Sequence, residues 1–150
     1  MKQPLVHKTL TKEEFSGLLK EAFAIDARLG GYVIGRSHEE GGIKCFIETE
    51  DGFELIAEIE GGEYIINGGG ASQFEKELAS LNAMYTSEPS SAEPLCISEY
   101  STVYNTKGSQ EKLLWVSGGG FIMNKYATRQ YFAIIEKINF GSNPLRVYDV

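Results

Sequence analysis

The sequence predicts an α+β fold, an antiparallel β-meander sheet packed against an N-terminal helix and one or two further helices. Three observations carry this prediction. An amphipathic stretch with helix-start signals runs from Thr11 to Phe23, strand-like segments separated by glycine turns follow from Tyr32 to Asn67, and a second amphipathic stretch comes after Gly68 to Gly70. A length of 150 residues suits one domain spanning 1–150, and eight Tyr, eight Phe and one Trp supply large side chains for its core.

The N-terminal helix has a defined start. Thr11 and Glu14 have the spacing of a capping box, and Leu10 and Phe15 occupy the two positions of a hydrophobic staple. Phe15, Leu18, Leu19, Ala22 and Phe23 then recur on one helical face, and Gly30-Gly31 is the expected stop.

Strands follow, beginning with Tyr32 to Arg36. Around Asp51-Gly52 two hairpin registers compete. A two-residue loop pairs Glu48 with Leu55 and Lys44 with Ile59, mixing charge and apolar groups on both faces. A three-residue loop, Glu50-Asp51-Gly52 with Gly52 left-handed, pairs Ile47 with Leu55, Cys45 with Ala57 and Ile43 with Ile59, which makes one face wholly apolar. The turn at Gly61-Gly62 continues that face if Ile59 opposes Tyr64 and Ala57 opposes Ile66, hence the meander. The other face then carries Lys44, Phe46, Glu48, Glu54, Ile56 and Glu58, with Glu50, Asp51, Glu60 and Glu63 in the turns. Glu48 opposite Glu54 is a like-charge pair that water or a cation must relieve. Phe46 and Ile56 stand exposed among acids unless the second half of the chain covers them.

After the glycines, Phe74, Leu78, Leu81 and Tyr85 mark a second helix, with Ser72 and Glu75 as its capping box. Residues 87–94 read as a surface connection. Segments 95–104, 112–116 and 121–126 suit strands, and 145–150 a last short one. Between 129 and 139 a helical stripe of Tyr131, Ile134, Ile135 and Ile138 competes with a β-branched composition; the helix is favoured. No internal repeat is evident, although three glycines recur at 118–120.

The chemistry of the chain is mostly a matter of exclusion. Ala71 and Ser72 follow Gly70 where a P-loop needs Lys and a hydroxyl, and Gln73 stands where a dinucleotide fingerprint needs glycine. His7, His38, Cys45 and Cys96 occur singly, without the paired spacing of a zinc site, so only a dispersed site is compatible and no metal or cofactor is expected. Gly35 to Glu39 imitates a nucleophile elbow but lacks its last glycine. Cys45 falls on the apolar face, where a thiolate is disfavoured. No catalytic residue is indicated.

A formal charge of −7 with scattered Lys and Arg argues against nucleic acid, no apolar run is long enough to span a membrane, and the N-terminus lacks an export signal, so a cytoplasmic location is expected. These features point to a small acidic non-enzymatic protein-binding domain with a basic protein partner; in its narrower form, it is an inhibitor or immunity protein that neutralises a toxin or nuclease. The expected partner-binding residues are Phe46, Glu48, Glu50, Asp51, Glu54, Ile56 and Glu58. Two other readings are a client-binding homodimer, since the order helix, meander, helix, strands is loosely similar to secretion chaperones, and a small-ligand site or enzyme using the His38 loop and the second glycine cluster beside Trp115 and Ser117. The chain is compatible with a monomer or a homodimer.

Overall fold

The computed structural model describes residues 9–87, 97, 101–108 and 112–141. It begins as the sequence requires. Thr11 caps helix α1 (Lys12–Lys20): its hydroxyl accepts the Glu14 amide at 3.0 Å, and the Glu14 carboxylate accepts the Thr11 amide at 2.8 Å. Leu10 and Phe15 are buried together. The helix ends well before Gly30-Gly31, because the chain turns left-handed at Ala22, with φ 63°. The Phe23 amide donates to the Leu18 carbonyl at 2.7 Å and the Ala22 amide to Leu19 at 3.1 Å, the bond pattern of a Schellman motif with alanine in the usual glycine position. Ala22 and Phe23 therefore leave the helical stripe, and Ala24–Asp26 becomes strand β2.

Among the described residues, one sheet has the order β1 (Thr9–Leu10), β5 (Phe53–Ile59), β4 (Ile43–Glu48), β8 (Leu113–Trp115), β2; a second has β7 (Val103–Asn105), β3 (Gly31–Ile34), β6 (Tyr64–Ile66), β9 (Phe121–Met123). The fold is α+β and its pairings are mostly antiparallel, with parallel contacts at β2–β8, β4–β8 and β3–β7. The expected hairpin of β4 and β5 forms, but β6 does not extend it. Tyr64, Ile65 and Ile66 are all buried, so β6 needs cover on both faces, and it pairs with β3 and β9 in the other sheet. The turn makes that crossing. Gly61 lies so close to Gly35 that a side chain would meet its carbonyl oxygen at 2.3 Å, and the Gly62 amide donates to Val33 at 2.8 Å.

Three apolar clusters separate four layers. Phe15 of α1 packs with Phe46, Phe53 and Leu113 on the outer face of the first sheet; Ile43, Cys45 and Leu114 meet Val33 and Ile65 between the sheets; Tyr64, Ile66 and Met123 meet the remaining helices on the far side. The expected register survives only at one end of the hairpin, where Ile43 faces Ile59 and Cys45 faces Ala57. A β-bulge then intervenes, and Phe46 faces Leu55, Ile47 faces Glu54, and Glu48 faces Phe53. Ile56 is the additional residue. It shifts strand parity, so Ala57 and Ile59 point between the sheets while Phe53 and Leu55 pack under α1.

The glycines at 68–70 are not a turn ahead of a helix. They form the first residues of α2 (Gly68–Gln73), capped by Asn67, whose side chain accepts the Gly70 amide at 2.9 Å; the chain breaks at Phe74 and continues as α3 (Glu75–Met84), which has no side-chain cap. Ser72 therefore caps nothing. The ambiguous stretch near 129–139 is helical and has the same form: Asn124 caps α4 (Lys125–Gln130), Tyr131 breaks the run, and α5 (Phe132–Gly141) follows. Of the expected strand at 95–104 the end is seen in β7, while most of its first part and all of the expected strand at 145–150 lie outside the described residues.

This likeness extends to an internal repeat. The unit of β5, a Gly-Gly turn, β6, an asparagine cap and a broken helix recurs 57 residues later as β8, Gly118-Gly119, β9, Asn124 and a second broken helix. Gly62 and Gly119 both have positive φ, 95° and 73°; Leu78 and Ile135 are both fully buried. The two units meet where Ile65 of β6 faces Ile122 of β9, equivalent residues in antiparallel strands, as a local two-fold rotation requires. Reciprocal bonds cross the junction. Asn139 accepts the Asn67 amide at 2.8 Å on its side chain and the Asn67 Nδ2 at 3.1 Å on its backbone; Asn82 accepts the Asn124 amide at 2.7 Å and the Asn124 Nδ2 at 2.8 Å in the same way.

Candidate functional site

The expected partner-binding residues divide sharply. Phe46 is 0% exposed, beneath α1 with its ring centroid 6.0 Å from that of Phe15, so it is a core residue and offers no anchor. Cover comes from the N-terminal helix as well as from Leu113 and Trp115 of the second half. Ile56, extruded by the bulge, is 48% exposed. Glu50 and Asp51 form the hairpin tip, where Thr49 and Gly52 close a two-residue loop through the Thr49 amide to the Gly52 carbonyl at 2.7 Å; both acids are exposed, as are Glu48, Glu54 and Glu58. The expected Glu48–Glu54 confrontation does not occur. Glu48 reaches Lys12 of α1 at 3.7 Å, and Glu54 faces Ile47 on one side and Thr9 on the other.

Glu58 belongs to a different arrangement. Ser37 caps a short 3-10 turn, His38–Glu40, accepting the Glu40 amide, and this fixes the His38 backbone beside β5. His38 Nδ1 lies 2.8 Å from Glu58 Oε2, while Lys44 Nζ donates to Glu58 Oε1 at 2.8 Å. The other ring nitrogen, Nε2, faces Glu60 Oε2 at 3.7 Å; Glu60 Oε1 takes Lys125 Nζ at 3.2 Å. Glu63, 9% exposed, completes the group: ligand atoms of His38, Glu60 and Glu63 all lie within 4.8 Å of one another.

The electrostatics follow from these contacts. The Glu58 hydrogen bond raises the His38 pKa above the usual imidazole value, and the Glu60 hydrogen bond raises that of Lys125. Bonds from Lys44 and then His38 hold Glu58 below the ordinary carboxylate range. Glu63 moves the other way, since burial pushes its pKa up. Its carboxylate accepts the Glu60 amide at 3.0 Å, and no cation of the described residues lies within ion-pair distance.

In the sequence His38 stands alone and Glu60 and Glu63 fall in a later turn, so local spacing does not join them. A usable signal existed in Ser37-x-x-Glu40, a capping box that orders the His38 loop. The residues of the excluded phosphate and thiol chemistries, and of the small-ligand reading, make structural contacts. The Asn67 side chain and Ser117 Oγ take the Gly70 and Gly68 amides, at 2.9 and 3.0 Å, so neither is presented to a phosphate. Ser117 is thus occupied in structure, and Trp115 packs edge-on against Phe53 at 5.2 Å. Burial pushes the Cys45 thiol up to about 12, far from a nucleophile. His7 and Cys96 lie outside the described residues. No helix among the described residues is long and apolar enough to cross a membrane. Comparison with protein families, with characterised proteins and with solved structures finds no match.

Proposed function

We propose that this domain is a non-enzymatic protein-binding module that engages a basic partner through the β4–β5 hairpin. The observation that carries the reading is the bulge at Ile56, which presents a half-exposed isoleucine on a strand whose exposed neighbours are Glu54 and Glu58, next to the acidic tip at Glu50 and Asp51. An apolar side chain supplies binding energy that surrounding charge does not, while the carboxylates accelerate encounter with a cationic surface. Among the described residues, β1 pairs with Phe53 and Glu54 and stops short of Ile56. In its narrower form the partner is a toxin with a cationic cleft, such as a nuclease, and the domain its inhibitor.

Affinity capture from the native cell with three tagged baits tests this: the natural protein, Ile56→Asp, and the triple reversal Glu50→Lys, Asp51→Lys, Glu54→Lys. A basic protein retained by the first and lost by the other two is the expected result. Equal retention by all three baits eliminates the hairpin as the docking surface.

A further inference from the structure

We infer that His38, Glu60 and Glu63 form a binding site for a borderline divalent metal ion, of which Zn²⁺ is the best match, with Glu58 as the positioning residue for the histidine. One nitrogen and two carboxylate oxygens, with water completing the coordination, form a donor set that zinc accepts. Ligand atoms already within 4.8 Å of one another need to move inward by roughly 1 Å to reach the spacing of a tetrahedral site. The His38 ring can do so, since its side chain is 48% exposed.

Three features distinguish this group from an ordinary acidic surface. First, the histidine is oriented as a ligand: Glu58 Oε2 holds Nδ1 at 2.8 Å, which directs Nε2 toward Glu60, the carboxylate–imidazole arrangement found behind metal-bound histidines. Second, each partner divides its two oxygens. Glu58 gives Oε1 to Lys44, and Glu60 gives Oε1 to Lys125 while keeping Oε2 toward the histidine, so neither lysine occupies the oxygen on the ligand side. Third, Glu63 is nine-tenths buried with no ion-pair partner among the described residues, facing the other two ligands. Keeping such a buried carboxylate ionised opposes folding unless a cation offsets its charge.

The internal repeat supplies a control. The equivalent turn between β8 and β9 has Ser117 and Gly120 where Glu60 and Glu63 stand, and it makes the same crossing between sheets. The turn therefore does not need carboxylates, and their presence in one copy requires another account. Imidazole nitrogen disfavours Mg²⁺ and Ca²⁺, which take oxygen ligands, and favours Zn²⁺.

Isothermal titration of the metal-stripped full chain with ZnCl2, repeated with MgCl2 and CaCl2, tests the inference, with circular dichroism confirming that each variant is folded. The expected result is one equivalent of Zn²⁺ bound, no competition from Mg²⁺ or Ca²⁺, affinity lost by at least tenfold in His38→Gln and in Glu63→Gln, and about tenfold in Glu58→Gln through loss of ring orientation. Glu39→Gln, in the same loop, should bind as the natural protein does. Zinc that fails to bind, or that binds all variants equally, overturns the site. The result is independent of the hairpin proposal, because Ile56→Asp should leave zinc binding unchanged.

Discussion

Replacing Asn139 and Asn82 separately by alanine tests whether the two units of this protein are held together by their reciprocal asparagines. The two residues make matching bonds but differ in surroundings: Asn139 is 0% exposed, whereas Asn82 is partly open to water. Asn139→Ala removes the acceptor for the Asn67 amide at 2.8 Å and the donor to the Leu29 carbonyl at 3.0 Å. Leu29 keeps the Asn67 Nδ2 at 3.0 Å, so one amide is orphaned, and the Asn139 bonds to Leu29 and to the Tyr64 hydroxyl are lost. An orphaned buried amide costs about 1–3 kcal/mol and each lost bond about 1 kcal/mol, for a total of roughly 3–5 kcal/mol. Asn82→Ala removes the acceptor for the Asn124 amide and Nδ2, but water can replace it, which limits the cost to about 1 kcal/mol. The gain in helix propensity from asparagine to alanine is common to both variants and leaves the difference intact. Urea unfolding followed by circular dichroism gives both values. If Asn139→Ala costs no more than Asn82→Ala, burial does not govern these bonds and the reasoning fails.

Three further outcomes follow from the same contacts. Ala22→Gly should stabilise the protein by about 0.5–1 kcal/mol in urea unfolding, because Ala22 holds φ 63° at the end of α1 where glycine carries no steric penalty; an unchanged midpoint would count against this. Phe46→Ala should cost about 3–5 kcal/mol of stability, while the fraction that stays folded binds a captured partner as tightly as the natural protein, since Phe46 is wholly covered. In a Cys96→Ser background, Cys45 should react with a thiol reagent at pH 8 at least about a thousandfold more slowly than a free cysteine until the protein is unfolded, because its thiol is pushed up to about 12.

The elements legible in the sequence were those defined by local signals. The α1 capping box, its staple, and the hairpin pairings Ile43–Ile59 and Cys45–Ala57 could be read from spacing alone. What escaped depended on contacts distant in sequence. The stripe through Ala22 and Phe23 is periodic enough to continue α1, yet the chain leaves the helix to supply β2, which pairs in parallel with β8 near the other end of the chain. A strict hairpin register put Phe46 outside, but a bulge lets both faces of β4 and β5 meet apolar cover, and nothing local announces a bulge at Ile56. Asn67 does not look like a cap in the sequence because glycine is a poor helix former, whereas Gly70 and Ala71 are buried where α2 approaches α5 and bulk is excluded. The repeat is hard to see in the sequence because its identities are few and scattered: Gly-Gly and two Asn recur with isolated matches such as Ile65 and Ile122, and most other positions differ.

The repeat also separates scaffold from specialisation within one chain. Positions that the fold needs should be similar in both units, and they are: the left-handed Gly62 and Gly119, the caps Asn67 and Asn124, the buried Leu78 and Ile135, and the crossing Asn82 and Asn139. Positions that differ are released from that duty. β8 lies inside its sheet between β4 and β2, and its Leu113, Leu114 and Trp115 are mostly buried; β5 lies near the edge, and the equivalent Ile56, Ala57 and Glu58 include a bulged isoleucine and a carboxylate bound to His38. The turn after β8 has Ser117 and Gly120, while the turn after β5 has Glu60 and Glu63. Between residues 56–63 and 113–120 every difference of charge, at Glu58, Glu60 and Glu63, falls on the β5 side, where both proposed sites lie. A scaffold demand cannot account for that asymmetry, because the same scaffold is built a second time without those groups. Ligand and partner recognition are therefore best sought along β5 and its following turn, with the β8 unit serving as the structural counterpart against which they are measured.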